Sequence, residues 1–238
     1  MSTLLLRFAA PLQSWGASSR YQQRGTELAP TKSAVVGMLA AALGRRRSDS
    51  IDDLQGIQLG VRIDQPGSRI KDFHTAHTDD GKQAFVSDRF YLADSVFLIG
   101  IQDKKVRLRQ FERALQAPSF PLYLGRRSCP PAPPFIIGIK DGVNLLAALQ
   151  TEPWQASVTY QKKLHREQQV KLEIIIDAQF GAQGSFVLRD LPLTFNQVNR
   201  QYASRSVISY LSGTSVTNPF AELVSTNTEH DALGALEV

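Results

Sequence analysis

The sequence predicts an α+β fold, and three observations carry that reading. Short runs of apolar, β-branched and aromatic residues alternate with two helix-spaced segments over residues 1–140. A polar stretch with no clean period, residues 68–89, interrupts them. After residue 141 the chain is mostly short strand-like runs separated by turn residues.

The elements follow in order. Residues 3–10 are apolar and short, a first strand. Residues 11–30, rich in Gln, Ser, Gly and Arg between Pro11 and Pro30, read as a long loop. Thr31 or Ser33 caps a helix that runs to Leu43, with Gly44 as its stop. Val35, Val36, Met38, Leu39, Ala42 and Leu43 form its buried side, and Ala40 and Ala41 suit close approach to a sheet. Residues 57–63 read as a strand, and so do the β-branched and aromatic residues 90–101. Between them lies the polar excursion. Val106, Phe111, Ala114 and Leu115 have helical spacing, with Pro118 beyond them, and residues 135–139 supply one more strand. The order β-α-β-excursion-β-α-β is that of a ferredoxin-like, RRM-like domain over residues 1–140, with a thumb at about 68–90. Residues 141–211 are expected as a smaller β-rich part: a short helix at 143–149, then strands at 156–160, 170–176, 186–188 and 205–211. From Ser212 the chain is rich in Ser, Thr and Asn, holds Glu222, Glu229, Asp231 and Glu237, and has no Lys or Arg. It reads as an acidic, loosely ordered tail whose Phe220, Leu223 and Val224 can dock on a partner.

Composition narrows the function classes. An apolar content of 42% and a charged content of 21% are those of a soluble globular protein. No apolar run is long enough to span a membrane, and the start, MSTLLLRFAAPLQSW, lacks a basic leader and reads as a strand. The single cysteine, Cys129, excludes an internal disulfide and fits a reducing cytoplasm. Charge is unevenly placed. Residues 1–130 carry 19 Lys/Arg against 12 Asp/Glu, whereas residues 131–238 carry 8 against 10. The basic half therefore attracts polyanions, and the acidic half is expected to face proteins rather than form the main polyanion surface. No phosphate loop, nucleophile elbow or HExxH sequence is present. His74 and His77 lie near Asp72, Asp79 and Asp80, which hints at a metal. Two histidines three apart need further ligands at fixed geometry, and no cysteine is nearby, so no metal and no cofactor is expected.

Three stretches carry the binding chemistry. In Tyr123-Leu124-Gly125-Arg126-Arg127-Ser128-Cys129, two guanidinium forks suited to phosphate follow a glycine that permits close backbone approach. Pro130, Pro131, Pro133 and Pro134 then stiffen the loop. At the start of the first helix, Thr31, Lys32 and Ser33 place hydroxyls and a cation where free N–H groups bind phosphate; the competing reading is an ordinary cap. In the first long loop, Gln13, Ser14 and Trp15 precede Arg20 and Arg24. Trp15 either stacks on a base or packs in the core, and the two arginines can clamp phosphates. Arg45, Arg46 and Arg47 either complement the helix dipole or contact a polyanion.

The blocks PLQSWG at 11–16, the run from Ala29 to Gly44 and LGRRSCPP at 124–131 together resemble the CasD family. That family supplies the subunit of the type I-E CRISPR surveillance complex, Cascade, that holds the 5′ handle of the guide RNA. The similarity runs in order from about Leu4 to Arg205. It implies an antiviral ribonucleoprotein whose partners are the guide RNA, the repeated backbone subunit and the large subunit, with target DNA met only through the complex. Relatives carry a segment like Asp72-Phe73-His74-Thr75 leading into a thumb that separates handle from spacer. This brings in Lys71 and His74, with Asp79-Asp80-Gly81 as the tip and Phe85 or Phe90 against a base or the backbone subunit. The residues expected to bind RNA are thus Gln13, Ser14, Trp15, Arg20, Arg24, Thr31, Lys32, Ser33, Lys71, His74, Tyr123, Gly125, Arg126, Arg127 and Ser128. Subunits of another subtype cut guide precursors without metal, using Tyr, Lys and His; Tyr21, Tyr91, Tyr123, His74, His77 and His165 supply such groups here. Arginine stays protonated and is a poor proton shuttle, so binding without catalysis is expected, with a metal-free endoribonuclease acting on repeat RNA as the alternative.

Overall fold

In the computed structural model the described residues are 1–16 and 23–222. The elements are β1 (Ser2–Ala9), β2 (Leu12–Gln13), β3 (Gln23–Arg24), α1 (Lys32–Ala42), α2 (Asp52–Gln55), β4 (Gln58–Gln65), β5 (Ser68–His77), β6 (Ala84–Ala93), β7 (Val96–Asp103), α3 (Lys105–Gln116), β8 (Ile136–Lys140), α4 (Leu145–Thr151), α5 (Val158–Lys163), β9 (Gln169–Ala178), β10 (Phe186–Thr194) and β11 (Gln201–Thr217). The architecture is mixed α and β around one antiparallel seven-stranded sheet, ordered β10-β11-β9-β4-β7-β1-β8. Among the described residues no helix is long and apolar enough to cross a membrane.

The continuous apolar run of β1 is explained by burial on both sides. Leu4, Leu6 and Phe8 face α1 and α3, together with Ile99, Ile101 and Phe97 of β7 and Leu59 and Val61 of β4. Leu5 and Leu98 face α4 instead, with Leu145 and Leu149. Each such leucine contributes about 1.5–3 kcal/mol. The paired Gly60 and Gly100 let α4 come this close: a Cβ on either would meet a leucine methyl of α4 at 2.6 Å. Arg62, fully buried on the same face, forks onto Asp64 at 2.7 Å. It spends its remaining donors on the carbonyls of Leu149, Glu152 and Pro153, closing the C-terminal end of α4.

β5 and β6 form a hairpin in full ten-residue register, roughly 30 Å long at the usual strand rise. Its turn holds Asp79, Asp80 and Gly81, as expected. β2 and β3 flank the base of β6, β2 antiparallel and β3 parallel. The expected single strand over 90–101 is two. Residues 90–93 finish the hairpin, Asp94 takes a left-handed φ of 56°, and β7 starts afresh at Val96. The backbone N–H of Asp94 donates to Pro11 and its carbonyl accepts from Gln65, which pays for that turn.

The C-terminal strands extend the same sheet, β9 pairing with β4 through Gly60–Arg62. Residues 156–160, expected as a strand, lead into α5 instead, because Ser157 caps it by accepting from the N–H of Tyr160. Residues 212–217, expected as the start of a loose tail, continue β11 against β9 across an irregularity between Tyr210 and Thr214. Leu223, Val224 and the acidic residues Glu229, Asp231 and Glu237 lie outside the described residues.

Four charges, Lys32 and Asp190 buried and Asp177 and Arg205 nearly so, tie α1 to strands β9, β10 and β11 at one end of the sheet. Lys32 Nζ donates to Asp177 at 2.7 Å and to the carbonyl of Ile57. Asp177 also accepts from the N–H of Leu59 and from Arg205. Arg205 forks onto Asp190 at 2.6 and 2.9 Å, and Asp190 accepts the backbone N–H of Lys32 at 2.7 Å. Burial alone would lower the Arg205 pKa; the hydrogen bonds and charges of Asp190 and Asp177 outweigh it and hold it above its ordinary value.

The loop after α3 docks on the start of the chain. Ser14 donates its N–H to Leu124, and Gly125 stands so close, at a φ of +88°, that a Cβ would lie 1.5 Å from the Ser14 carbonyl oxygen. Gly125→Ala is therefore expected to lower unfolding stability by more than about 2 kcal/mol, measured by urea titration. Arg205→Met leaves two buried carboxylates short of a partner and is expected to cost about 3–5 kcal/mol. Adding Asp190→Asn should recover part of that loss in a double-mutant cycle; strictly additive losses would show that the pair is not coupled.

Candidate nucleic-acid interface

The LGRRSC segment is a closed turn. Leu124 donates to Cys129 at 2.7 Å and Cys129 to Arg126 at 2.9 Å, with Leu124 and Cys129 buried beneath. Their burial leaves the residues between them on the outside, and the two arginines part there. Arg127 is exposed and lines a cavity over α1. Arg126 is half-buried on the thumb side, its guanidinium 4.3 Å from the centre of the Tyr91 ring and its Nη2 donating to the carbonyl of Arg24 at 2.9 Å.

The cavity encloses about 860 Å³. Its floor is the small-residue side of α1, Gly37, Ala40 and Ala41. Arg45, Arg46, Arg47, Arg127 and Arg200 surround it, with Tyr123, Tyr202, Phe120 and Phe195, and among the described residues none that lines it is acidic. Five guanidiniums without a lining carboxylate make a strongly positive recess, and the aromatic rings offer faces to bases. One of the five is partly neutralised: Arg45 forks onto Asp53, whose carboxyl is held below its ordinary range chiefly by that hydrogen bond. A second cavity, of about 920 Å³, adjoins it through Thr31, Arg200 and Tyr202 and is mostly apolar, with Leu28, Leu59, Phe186 and Leu188 in its walls.

Several expected contacts are structural instead. Trp15 is fully buried and stacked on Phe8 at 5.7 Å, so the core reading holds and no base can reach it. Gln13 is also fully buried, its amide donating to Ser95 at 2.6 Å and to Phe8. Ser14 donates its hydroxyl to Phe90 and contributes only an edge of the cavity. Thr31 caps α1 by accepting from Ala34, and its hydroxyl lies 3.2 Å from that of Ser33. The expected phosphate at this helix start is displaced: the Asp190 carboxylate already takes the Lys32 N–H, and the Lys32 ammonium is buried against Asp177.

On the thumb, Lys71 pairs with Asp88 at 2.9 Å and His74 with Asp72 at 3.1 Å. Strand alternation puts Lys71 and His74 on opposite faces of the hairpin, and likewise His74 and His77. Among the described residues no three His, Cys, Asp or Glu gather at one point. Arg24 is exposed on β3 and Ser128 is exposed on the loop, while Arg20 lies outside the described residues. The structure thus brings together Tyr123, Gly125 and Arg127 with the Arg45–Arg47 run, and Arg24 with Arg126. Arg200 and Tyr202 were missed, because they lie in the half read as a protein-contact surface. The sequence signal was present as the isolated Arg200 beside Tyr202, but nothing local tied it to α1.

Comparison with known proteins bears on the whole arrangement. The chain is 28% identical over 228 residues to CRISPR system Cascade subunit CasD of Escherichia coli (strain K12), covering 86% of this chain and 93% of that one. A chain of a solved CRISPR RNA-guided surveillance complex superposes with a TM-score of 0.72 at 29% identity, covering 94% of this chain and 95% of the other. A crystal structure of a Cas protein superposes at 0.68 with 32% identity, over 92% and 97%. The family model described as CRISPR-associated protein (Cas_Cas5) matches residues 3–208, a span that takes in the thumb, the arginine loop and most of the sheet, and the chain belongs to that family.

Proposed function

We propose that this chain is the crRNA-binding subunit of a type I-E Cascade surveillance complex, holding the 5′ handle of the crRNA and capping the backbone filament in antiviral defence. The observation that carries the reading is the arginine-ringed cavity without a lining acid, set on the same loop that reaches the thumb base. Its likeness in sequence and shape to CasD and to a surveillance-complex chain supports the assembly. The strands β4-β7-β1-β8 with α1 and α3 suit a ferredoxin-like, RRM-like domain over residues 1–140, the thumb being inserted between its second and third strands. Residues 141–211 then act as a β-rich extension that completes the cavity, and the acidic tail is left for protein contacts. The exposed Phe73 and Phe85 of the thumb suit the backbone subunit or a displaced base, and the large subunit is the other protein neighbour. Target DNA is met only through the complex.

The role is binding. Among the described residues no histidine or lysine lines the cavity, so the groups there that could shuttle protons are Tyr123 and Tyr202, beside arginines that remain protonated. Endonucleolytic processing of repeat RNA has no observation in its favour.

Pull-down of the tagged full chain from its host, with RNA sequencing and protein identification, is expected to return repeat-derived RNAs sharing one 5′ end together with Cascade subunits. Absence of RNA enrichment would overturn the reading. Arg127→Ala with Arg200→Ala is expected to weaken handle binding at least tenfold and to reduce the slope of log K against log salt by about 1.4. An unchanged slope would remove these two side chains from the phosphate contacts.

A further inference from the structure

Arg126 and Arg127 are neighbours in sequence but serve two places. Arg127 lines the cavity; Arg126 does not, and lies at the thumb base over Tyr91 with one amino group on the Arg24 carbonyl. Its other amino group, Nη1, is buried and finds no acceptor among the described residues. Arg89 repeats this feature: its Nε is also buried and without an acceptor. The two side chains belong to one locality. Arg89 is two residues from Tyr91 on the same face of β6, and Arg24, whose carbonyl Arg126 takes, is the register partner of Arg89 in the β3–β6 pair. Native structures rarely leave buried N–H groups unpaired, and a pair on two permanently charged forks calls for an anion.

The nearby carboxylates do not supply it. Asp72 stands opposite Arg89 across β5 and β6, but pairs with His74 at 3.1 Å. Asp88 points to the other face of the hairpin and pairs with Lys71. Carboxylates are thus present on the hairpin, and none makes an ion pair with Arg89 or Arg126.

We infer that Arg89 and Arg126 form a seat for a single phosphodiester group of the bound RNA at the base of the thumb, separate from the cavity that Arg127 lines. This rests on the RNA-binding reading above. A guanidinium offers phosphate paired donors in a fixed fork, and the Arg126 fork is already held over Tyr91 and on the Arg24 carbonyl before the ligand arrives. Successive residues of one loop then hold two different points of the RNA, which sets its register on the protein as well as attracting it.

The test uses the RNA that copurifies with the full chain, synthesised with one neutral methylphosphonate linkage at a time. Against the wild-type chain, one linkage outside the Arg127 contact is expected to weaken binding about tenfold, the size of a charge-assisted contact. The same linkage should have no further effect on Arg89→Ala or Arg126→Ala, yet keep its full effect on Arg127→Ala. Arg89→Lys keeps the charge and the strand but loses the fork, and should retain only part of the effect; it also carries the test if Arg89→Ala does not fold. A scan in which every linkage costs the Arg89 variants as much as the wild type overturns the seat while leaving RNA binding intact. Failure of the wild type to bind the RNA at all overturns the underlying reading and the seat with it.

Discussion

A lysine, an arginine and two aspartates from four separate elements hold the first helix and the last three strands in one frame. Removing ions from water is costly, so such a cluster contributes position more than net energy. Its positional effect is large. With Asp177 and Asp190 anchored to Lys32, strands β9 to β11 cannot swing away from α1. Arg200 and Tyr202, at the start of the strand that carries Arg205, are thereby brought to the cavity formed mainly by the first half of the chain. The same cluster fills the helix N-terminus with a carboxylate, so the uncompensated positive charge around α1 lies instead on the arginines beyond its C-terminal end.

Basic residues here divide into those that hold the fold and those that remain available. Arg62 and Lys32 are buried, and Arg205 nearly so, and each is held by an acidic partner. Arg127 and Arg200 are exposed around a recess without acids. Net charge counts both kinds alike, which is why the basic balance of residues 1–130 does not separate the arginines that line the cavity from those that hold the fold.

The sheet elements β1, β4, β7 and β8 and the helices α1 and α3 were legible because burial, caps and stops act within a few residues: Thr31 caps α1, and apolar runs mark the strands. Legibility failed where a local preference was overruled. Val158 and Tyr160 favour a strand, but the Ser157 cap starts a helix. Phe90 to Ile101 reads as one strand until Asp94 turns left-handed between two hydrogen-bonded neighbours. Ser212 to Thr217 looks like tail and pairs with β9, a partner some forty residues earlier. The site was half legible for the same reason. The LGRRSC turn is closed by its own backbone, whereas the Lys32–Asp177 contact spans 145 positions and leaves no local mark.

The thumb carries one more consequence. β5 pairs only with β6, so along its ten residues the outer edge presents the backbone N–H and C=O groups of alternate residues with no strand beside them among the described residues. Lys71 and Asp72 guard that edge with charge, while Ile70 and Phe73 leave apolar surface along it. An open edge of this length is a template for another strand. A bare edge of this kind favours self-association, and a neighbouring strand laid along it would remove that hazard.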